Sequence, residues 1–187
     1  MAILEIADLG EIRIELLPEL APKSVESFVS LAEADLYDGT LFHRVIPGFM
    51  IQGGDPNSKD DDPSNDGMGG PGFTLPDEFS QVSFVRGIVA MARTAQPNSA
   101  GSQFFIVHED SRHLDGQYTV IGQVTAGIDV VDAISRIPTG PNNRPQSNVM
   151  LLDMRIEKSG SANAAPDEPT EPQEPSSGGP EWDEGST

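Results

Sequence analysis

Five short apolar runs between residues 41 and 124 constrain the fold more than any other feature. LFHRVI (41–46), FMIQ (49–52), GIVAMA (87–92), QFFIV (103–107) and YTVIGQV (118–124) are four to seven residues long, and turn formers separate them. A helix needs a longer periodic stretch, so runs of this length predict strands. EIRIELLP alternates strictly, with Ile12, Ile14 and Leu16 on one face and Glu11, Arg13 and Glu15 on the other. AILEIADLG precedes it and ends in the turn signal Asp8-Leu9-Gly10, so the two predict a hairpin. MLLDMRIE alternates again, with Leu152, Met154 and Ile156 facing one way. Two segments change period. Val25, Phe28, Val29 and Ala32 form a helical stripe behind Pro22, which suits a first helical position, and Asp38-Gly39 closes that segment. Ile128, Val131 and Ile134 form a second stripe that ends before Pro138. Eight strands and two helices therefore predict a mainly β sandwich or barrel. Closure of the sheet would leave no edge open to aggregation.

Composition divides the chain. Residues 160–187 carry seven acids, five prolines and no base. That segment cannot bury enough apolar surface to offset the entropy of ordering, so it reads as a disordered acidic tail. It reads as a solubilising appendage, or alternatively as a recruiter of basic partners in which Trp182 is the anchor. The domain at 1–159 holds the other 23 acids and all 11 bases, a net charge of −12. Such a surface repels phosphate backbones, which argues against a nucleic-acid partner. Cysteine is absent, so disulfides and thiolate chemistry are excluded. The N-terminus lacks the pattern of a secretory leader, and no apolar run reaches membrane-spanning length. A cytoplasmic protein with no membrane association is the resulting expectation, with a monomer as the default. The acids of the 55–79 loop, Asp60, Asp61, Asp62 and Asp66, lack a glutamate at the twelfth loop position that a calcium loop requires. No metal is expected.

The stretch FHRVIPGFMIQGGDP (42–56) concentrates the groups suited to a site. It contains no serine or cysteine nucleophile and no paired carboxylates. Read as strand, Pro47-Gly48 turn and strand, it places Phe42 and Arg44 on one face and His43 on the other. A lone histidine there reads as a hydrogen-bonded structural residue. Arg44 cannot act as a base near neutral pH, but it always offers fixed donors. Phe49 and Met50 supply apolar surface, and Gln52 both donates and accepts. Gln103, Phe105, Leu114 and Tyr118 repeat the theme of an amide beside hydrophobic groups. An unpaired amide in a core is costly, so two glutamines next to phenylalanines suggest a polar-edged pocket.

FHRVIPGFMIQGGDP, GPGFTLPDEF, GIVAMAR, NSAGSQFFI and LDGQYTVIGQV, in this order, resemble the cyclophilin family of peptidyl-prolyl cis-trans isomerases. The resemblance covers residues 1–158 and includes APKSVESFVSLAE and GIDVVDAI. It implies an eight-stranded antiparallel closed β-barrel capped by two α-helices, and no cofactor. It implies that Arg44 is the catalytic arginine, with Gln52 orienting it or the substrate. Phe49, Met50, Phe105 and Leu114 would wall a proline pocket. Ala92, through its backbone, and Gln103 would contact the substrate strand. His113 stands where many eukaryotic members have tryptophan, and Tyr118 where many have histidine. Arg93 replaces a common asparagine. These departures resemble the bacterial branch and imply weak cyclosporin binding. The implied substrates are proline-containing segments of unfolded or partly folded proteins. A module that only grips such segments, acting as a holdase, is the alternative, and the presence of Arg44 argues against it.

Overall fold

The computed structural model describes residues 1–158, so the acidic tail assigned to 160–187 lies outside the described residues. Eight strands and two helices follow one another along the chain. They are β1 (Ala2–Ile6), β2 (Gly10–Leu16), α1 (Pro22–Glu33), β3 (Arg44–Ile46), β4 (Met50–Gly53), β5 (Ile88–Met91), β6 (Phe104–Val107), β7 (Val120–Ala126), α2 (Ile128–Ser135) and β8 (Leu151–Ile156). All eight strands form one sheet in the order β3-β4-β6-β5-β7-β2-β1-β8, with every neighbouring pair antiparallel.

The β1–β2 hairpin forms as the alternation predicts. Its turn needs a left-handed backbone at Asp8 (φ 61°) and Gly10 (φ 106°), conformations that favour these residue types. Ile12 and Ile14 enter the core while Glu11, Arg13 and Glu15 stay out of it. Helix α1 begins with Pro22 at its first turn and turns Val25, Phe28 and Ala32 inward. It ends at Glu33, earlier than Asp38-Gly39, because Asp35 takes a left-handed conformation (φ 55°) that no helix can continue through.

The sheet curls around a core built on Phe104. That ring meets Phe28, Tyr37 and Phe42 edge-on, at centroid separations of 5.5, 5.8 and 6.1 Å. The expected full closure of the barrel is corrected to a near closure. The edge strands β3 and β8 do not pair along their length. A single antiparallel bridge, Leu41–Met150, joins their approaches, with Phe42 N–H donating to Val149 O and Leu151 N–H to Thr40 O, each at 2.9 Å.

Residue spacing explains why. Phe42 and Val45 both point into the core, as do Leu151 and Met154. A spacing of three is incompatible with the two-residue period of a strand. The chain therefore leaves the ladder before Arg44, and β8 bulges at Leu152, where Glu5 faces Asp153 but Ile6 faces Leu151. Leu152 is accordingly exposed rather than sharing a face with Met154. Phe42 lies inside and does not share a face with Arg44.

Strands β5 and β6 are buried on both faces. Their inner face carries Val89, Met91, Phe104 and Ile106. A second apolar layer covers the outer face, formed by Met50, Phe84, Ile88, Ala90, Phe105, Val107, Leu114 and Val120. This second layer carries the candidate site.

Candidate active site

Strand register assembles the site. Arg44 pairs across β3–β4 with Gln52, Gln52 across β4–β6 with Phe105, Phe105 across β6–β5 with Ala90, and Ala90 with Val120 of β7. One lateral row thus runs guanidinium, amide, aromatic ring and small apolar groups along the outer face of the sheet. The Pro47-Gly48 turn makes this register possible, with Gly48 at φ 73° and Phe49 N–H donating to Ile46 O at 3.0 Å.

A cavity of about 200 Å³ opens over that row. It is lined by Arg44, Phe49, Met50, Gln52, Ala92, Arg93, Phe105, Leu114 and Tyr118. Phe105 and Tyr118 meet edge-on at 5.4 Å, and Phe84 backs both rings from behind. Eight of the ten residues singled out from the sequence therefore come together around one pocket. Gln103 joins through the glutamine chain instead. His113 does not line the cavity; it is exposed and packs on the Phe49 ring at 5.4 Å. It therefore stands beside the cavity, next to Phe49, rather than on the cavity surface. The short helical turn Arg112–Leu114 sends Leu114 inward and its neighbour His113 outward.

The polarity of the glutamine chain follows from hydrogen-bond chemistry. The Gln103 side chain faces the carbonyls of Gly67 and Gly69, at 3.0 and 2.9 Å. Only its amide nitrogen can donate to two carbonyls, so its oxygen must face Gln52. Gln52 Nε2 donates to that oxygen at 2.9 Å, which leaves Gln52 Oε1 to accept from Arg44 Nη1 at 3.1 Å. The orientation of the guanidinium is thus fixed from the far end of the chain. Ala92 N–H donates to Gln103 O at 2.9 Å, so the backbone group that Ala92 can offer a bound strand is its carbonyl.

Arg93 is the lining residue that pattern reasoning missed. Its guanidinium lies 5.3 Å from the Phe79 ring and 5.4 Å from the Tyr118 ring, and its Nε donates to Gln117 O at 3.0 Å. Phe79 is fourteen positions away in sequence, so nothing local signals that pairing.

His43 also departs from expectation. It is buried, yet neither ring nitrogen makes a hydrogen bond of good geometry. Burial pushes its pKa below 6.5; the charge of Arg44 adds to the effect, while Asp55 and Asp66 oppose it. Three of the four acids of the 60–66 loop are committed elsewhere. Asp60 and Asp62 accept loop N–H groups, and Asp66 pairs with Arg144 Nε at 2.7 Å. Among the described residues, no three His, Cys, Asp or Glu side chains cluster as metal ligands do.

The family described as "Cyclophilin type peptidyl-prolyl cis-trans isomerase/CLD" matches residues 1–156. A probable peptidyl-prolyl cis-trans isomerase of Brucella suis is 44% identical over 160 residues, covering 83% of this chain and 81% of the relative. Peptidyl-prolyl cis-trans isomerase B of Streptomyces anulatus is 41% identical over 167 residues, covering 79% and 91%. A crystal structure of a cyclophilin type isomerase from Cryptosporidium parvum, in the presence of the dipeptide Ala-Pro, superposes with a TM-score of 0.76 at 29% identity, covering 84% of this chain and 98% of that one.

Proposed function

The chain belongs to the cyclophilin-type peptidyl-prolyl cis-trans isomerase family and is an isomerase of X–Pro peptide bonds; we propose that Arg44 carries the reaction, with the cavity at Phe49, Met50, Phe105 and Leu114 holding the proline ring. One observation supports this most directly. A guanidinium pinned by Gln52 stands at the wall of a cavity of about 200 Å³ that Phe49, Met50, Phe105 and Leu114 share with polar groups, and no serine, cysteine or carboxylate lines it.

Isomerisation needs neither nucleophile nor base. Its barrier of ~18–20 kcal/mol comes from amide resonance, which gives the C–N bond double-bond character. Uncatalysed exchange takes roughly tens to hundreds of seconds. Reaching ~10–10³ turnovers per second requires about 4–7 kcal/mol of transition-state stabilisation. As the bond twists, the prolyl nitrogen becomes pyramidal and recovers a lone pair. An Arg44 donor aimed at that lone pair withdraws it from resonance, and one preorganised donor contributes about 3–4 kcal/mol. Immobilising the ring while the preceding carbonyl swings supplies the remainder by orientation. Gln52 holds the guanidinium, and Gln103 and the Ala92 carbonyl receive the substrate strand.

Two further cavities meet the proline pocket at Gln52. One is lined by Gly69, Phe73, Ala92 and Gln103, the other by His43, Arg44, Asp66 and Arg144. They give an extended chain a path across the site in both directions, which fits proline-containing segments of unfolded or partly folded proteins as substrates. We further place catalysis in residues 1–159, acting as a cytoplasmic monomer without nucleic-acid or membrane partners and with weak affinity for cyclosporin. No helix among the described residues is long and apolar enough to cross a membrane.

Arg44→Ala tests the central role. In a protease-coupled assay on a short proline peptide it is expected to lower kcat/KM by about 10²–10³, the loss for one transition-state donor. Its melting temperature should stay near the parent's. Parental activity in the variant would remove Arg44 from the mechanism.

A further inference from the structure

We propose that Asp55 is a positioning residue for Arg44, acting at a distance through the Gly67–Gly69 strap and the two site glutamines. This rests on the role given to Arg44 above.

Asp55 lies two residues beyond the end of β4 and its side chain is fully buried. One carboxylate oxygen accepts Asn57 N–H at 2.8 Å. The other accepts Gly69 N–H at 3.2 Å and also Gly67 N–H. The carbonyls of the same two glycines hold the Gln103 amide. The strap is therefore clamped between Asp55 on its N–H side and Gln103 on its carbonyl side. From Gln103 the hydrogen bonds run on through Gln52 to Arg44.

Apolar packing does not hold the strap in place. Met68 is 78% exposed and Phe73 is 49% exposed. Its other anchors are Asp66 on Arg144 and the turn bond from Met68 N–H to Asn65 O, and both lie toward its N-terminal side. Asp55 alone among these fixes the N–H groups of both glycines that present carbonyls to Gln103. The fit is close: a Cβ at Gly69 would stand 2.1 Å from Asp55 Oδ1 and 2.8 Å from the Asn57 side chain. A shift of the strap releases the one constraint that forces the Gln103 oxygen toward Gln52. Both amides can then rotate, and a rotated Gln52 would present a donor to a guanidinium that can only donate.

The competing reading is that Asp55 only caps the Pro56–Lys59 turn. A coupling experiment on the full chain separates the two. Steady-state kcat and KM are measured for the parent, Asp55→Asn, Gln103→Ala and the double variant. The asparagine turns an N–H₂ group toward backbone donors and weakens the clamp. We expect Asp55→Asn to lower kcat about tenfold with little change in KM, the scale for a misplaced catalytic group. In the Gln103→Ala background, where the relay is already cut, the same change should alter kcat less than about twofold. Gly69→Ala drives a methyl group against the Asp55 carboxylate and displaces the strap without changing the Asp55 side chain, and should reproduce both results. Equal losses in both backgrounds, or parental kcat in Asp55→Asn and Gly69→Ala, would overturn the proposal. The Arg44 side-chain N–H resonance of ¹⁵N-labelled protein gives a readout independent of turnover, and should move toward that of a free arginine in both variants. If Arg44→Ala retains parental activity, the catalytic assignment fails and this resonance alone judges the relay. If Arg44→Ala is impaired but no coupling is seen, only the assignment of Asp55 fails.

Discussion

His43 makes the stability of this protein depend on pH over a defined window. The imidazole is 6% exposed and makes no hydrogen bond of good geometry. Burial is the largest influence on it and lowers its pKa from 6.5. The charge of Arg44 adds to this, while Asp55, Asp66 and the Leu41 backbone oppose it. The unfolded chain takes up a proton on this ring as pH falls through 6.5, whereas the folded chain does not until its lower pKa is reached. Between those two values the unfolded state binds more protons, so stability falls as pH falls. The slope approaches about 1.4 kcal/mol per pH unit for one fully differential proton. For a chain of this size about 1 kcal/mol corresponds to roughly 2–4 °C in Tm. Well above 6.5 the ring is neutral in both states and contributes no slope. His43→Leu removes the titration and also removes a buried polar ring that lacks partners, which is costly. Thermal melts of parent and variant at pH 7.5, 6.5 and 5.5 test this. The variant should be at least as stable at pH 7.5, and its advantage should widen as pH falls to 5.5, by at most about 2–4 °C for one proton over one pH unit. Melting temperatures that fall in parallel from pH 7.5 to 5.5 would refute the burial argument, because every other titrating group is common to both proteins.

Two further outcomes follow from the same structure. Phe104→Ala empties the ring that Phe28, Tyr37 and Phe42 pack against edge-on, and should cost about 3–5 kcal/mol in denaturant unfolding; a loss below about 1 kcal/mol would mean that the cluster collapses into the space. His113→Trp should tighten cyclosporin binding, measured by calorimetry, by about two- to tenfold, the scale of one added aromatic contact. His113 is exposed and packs at a tilt on Phe49 outside the cavity lining, so a larger ring there extends the apolar rim without disturbing the cavity wall.

Much of the site was legible in sequence because strand alternation is a local property. The chain reverses over three residues, Pro47–Phe49, so Ile46 pairs with Met50 and Arg44 opposes Gln52; the Pro-Gly signal marks the turn but leaves its register open by one residue. The roles of Phe49, Met50, Phe105 and Leu114 are implied by the resemblance, and their meeting around one cavity agrees with it. The outward turn of His113 was not legible because a short helical turn, unlike a strand, does not announce its orientation by alternation. Arg93 was missed because its partner Phe79 arrives from a loop, and Asp55 because its carboxylate acts on backbone N–H groups twelve and fourteen residues away.

The sequence by itself determined the number and kind of elements, since run length and hydrophobic period are set residue by residue. It also determined the chemistry on offer: a permanent cation, two amides and an apolar wall, with no nucleophile. Only the tertiary structure decided where the strands break, because core positions spaced by three at Phe42–Val45 and Leu151–Met154 override the strand period once both side chains have an interior to fill. It also decided which way each amide points. Amide orientation is not encoded in a glutamine, and here two loop carbonyls impose it across the whole site.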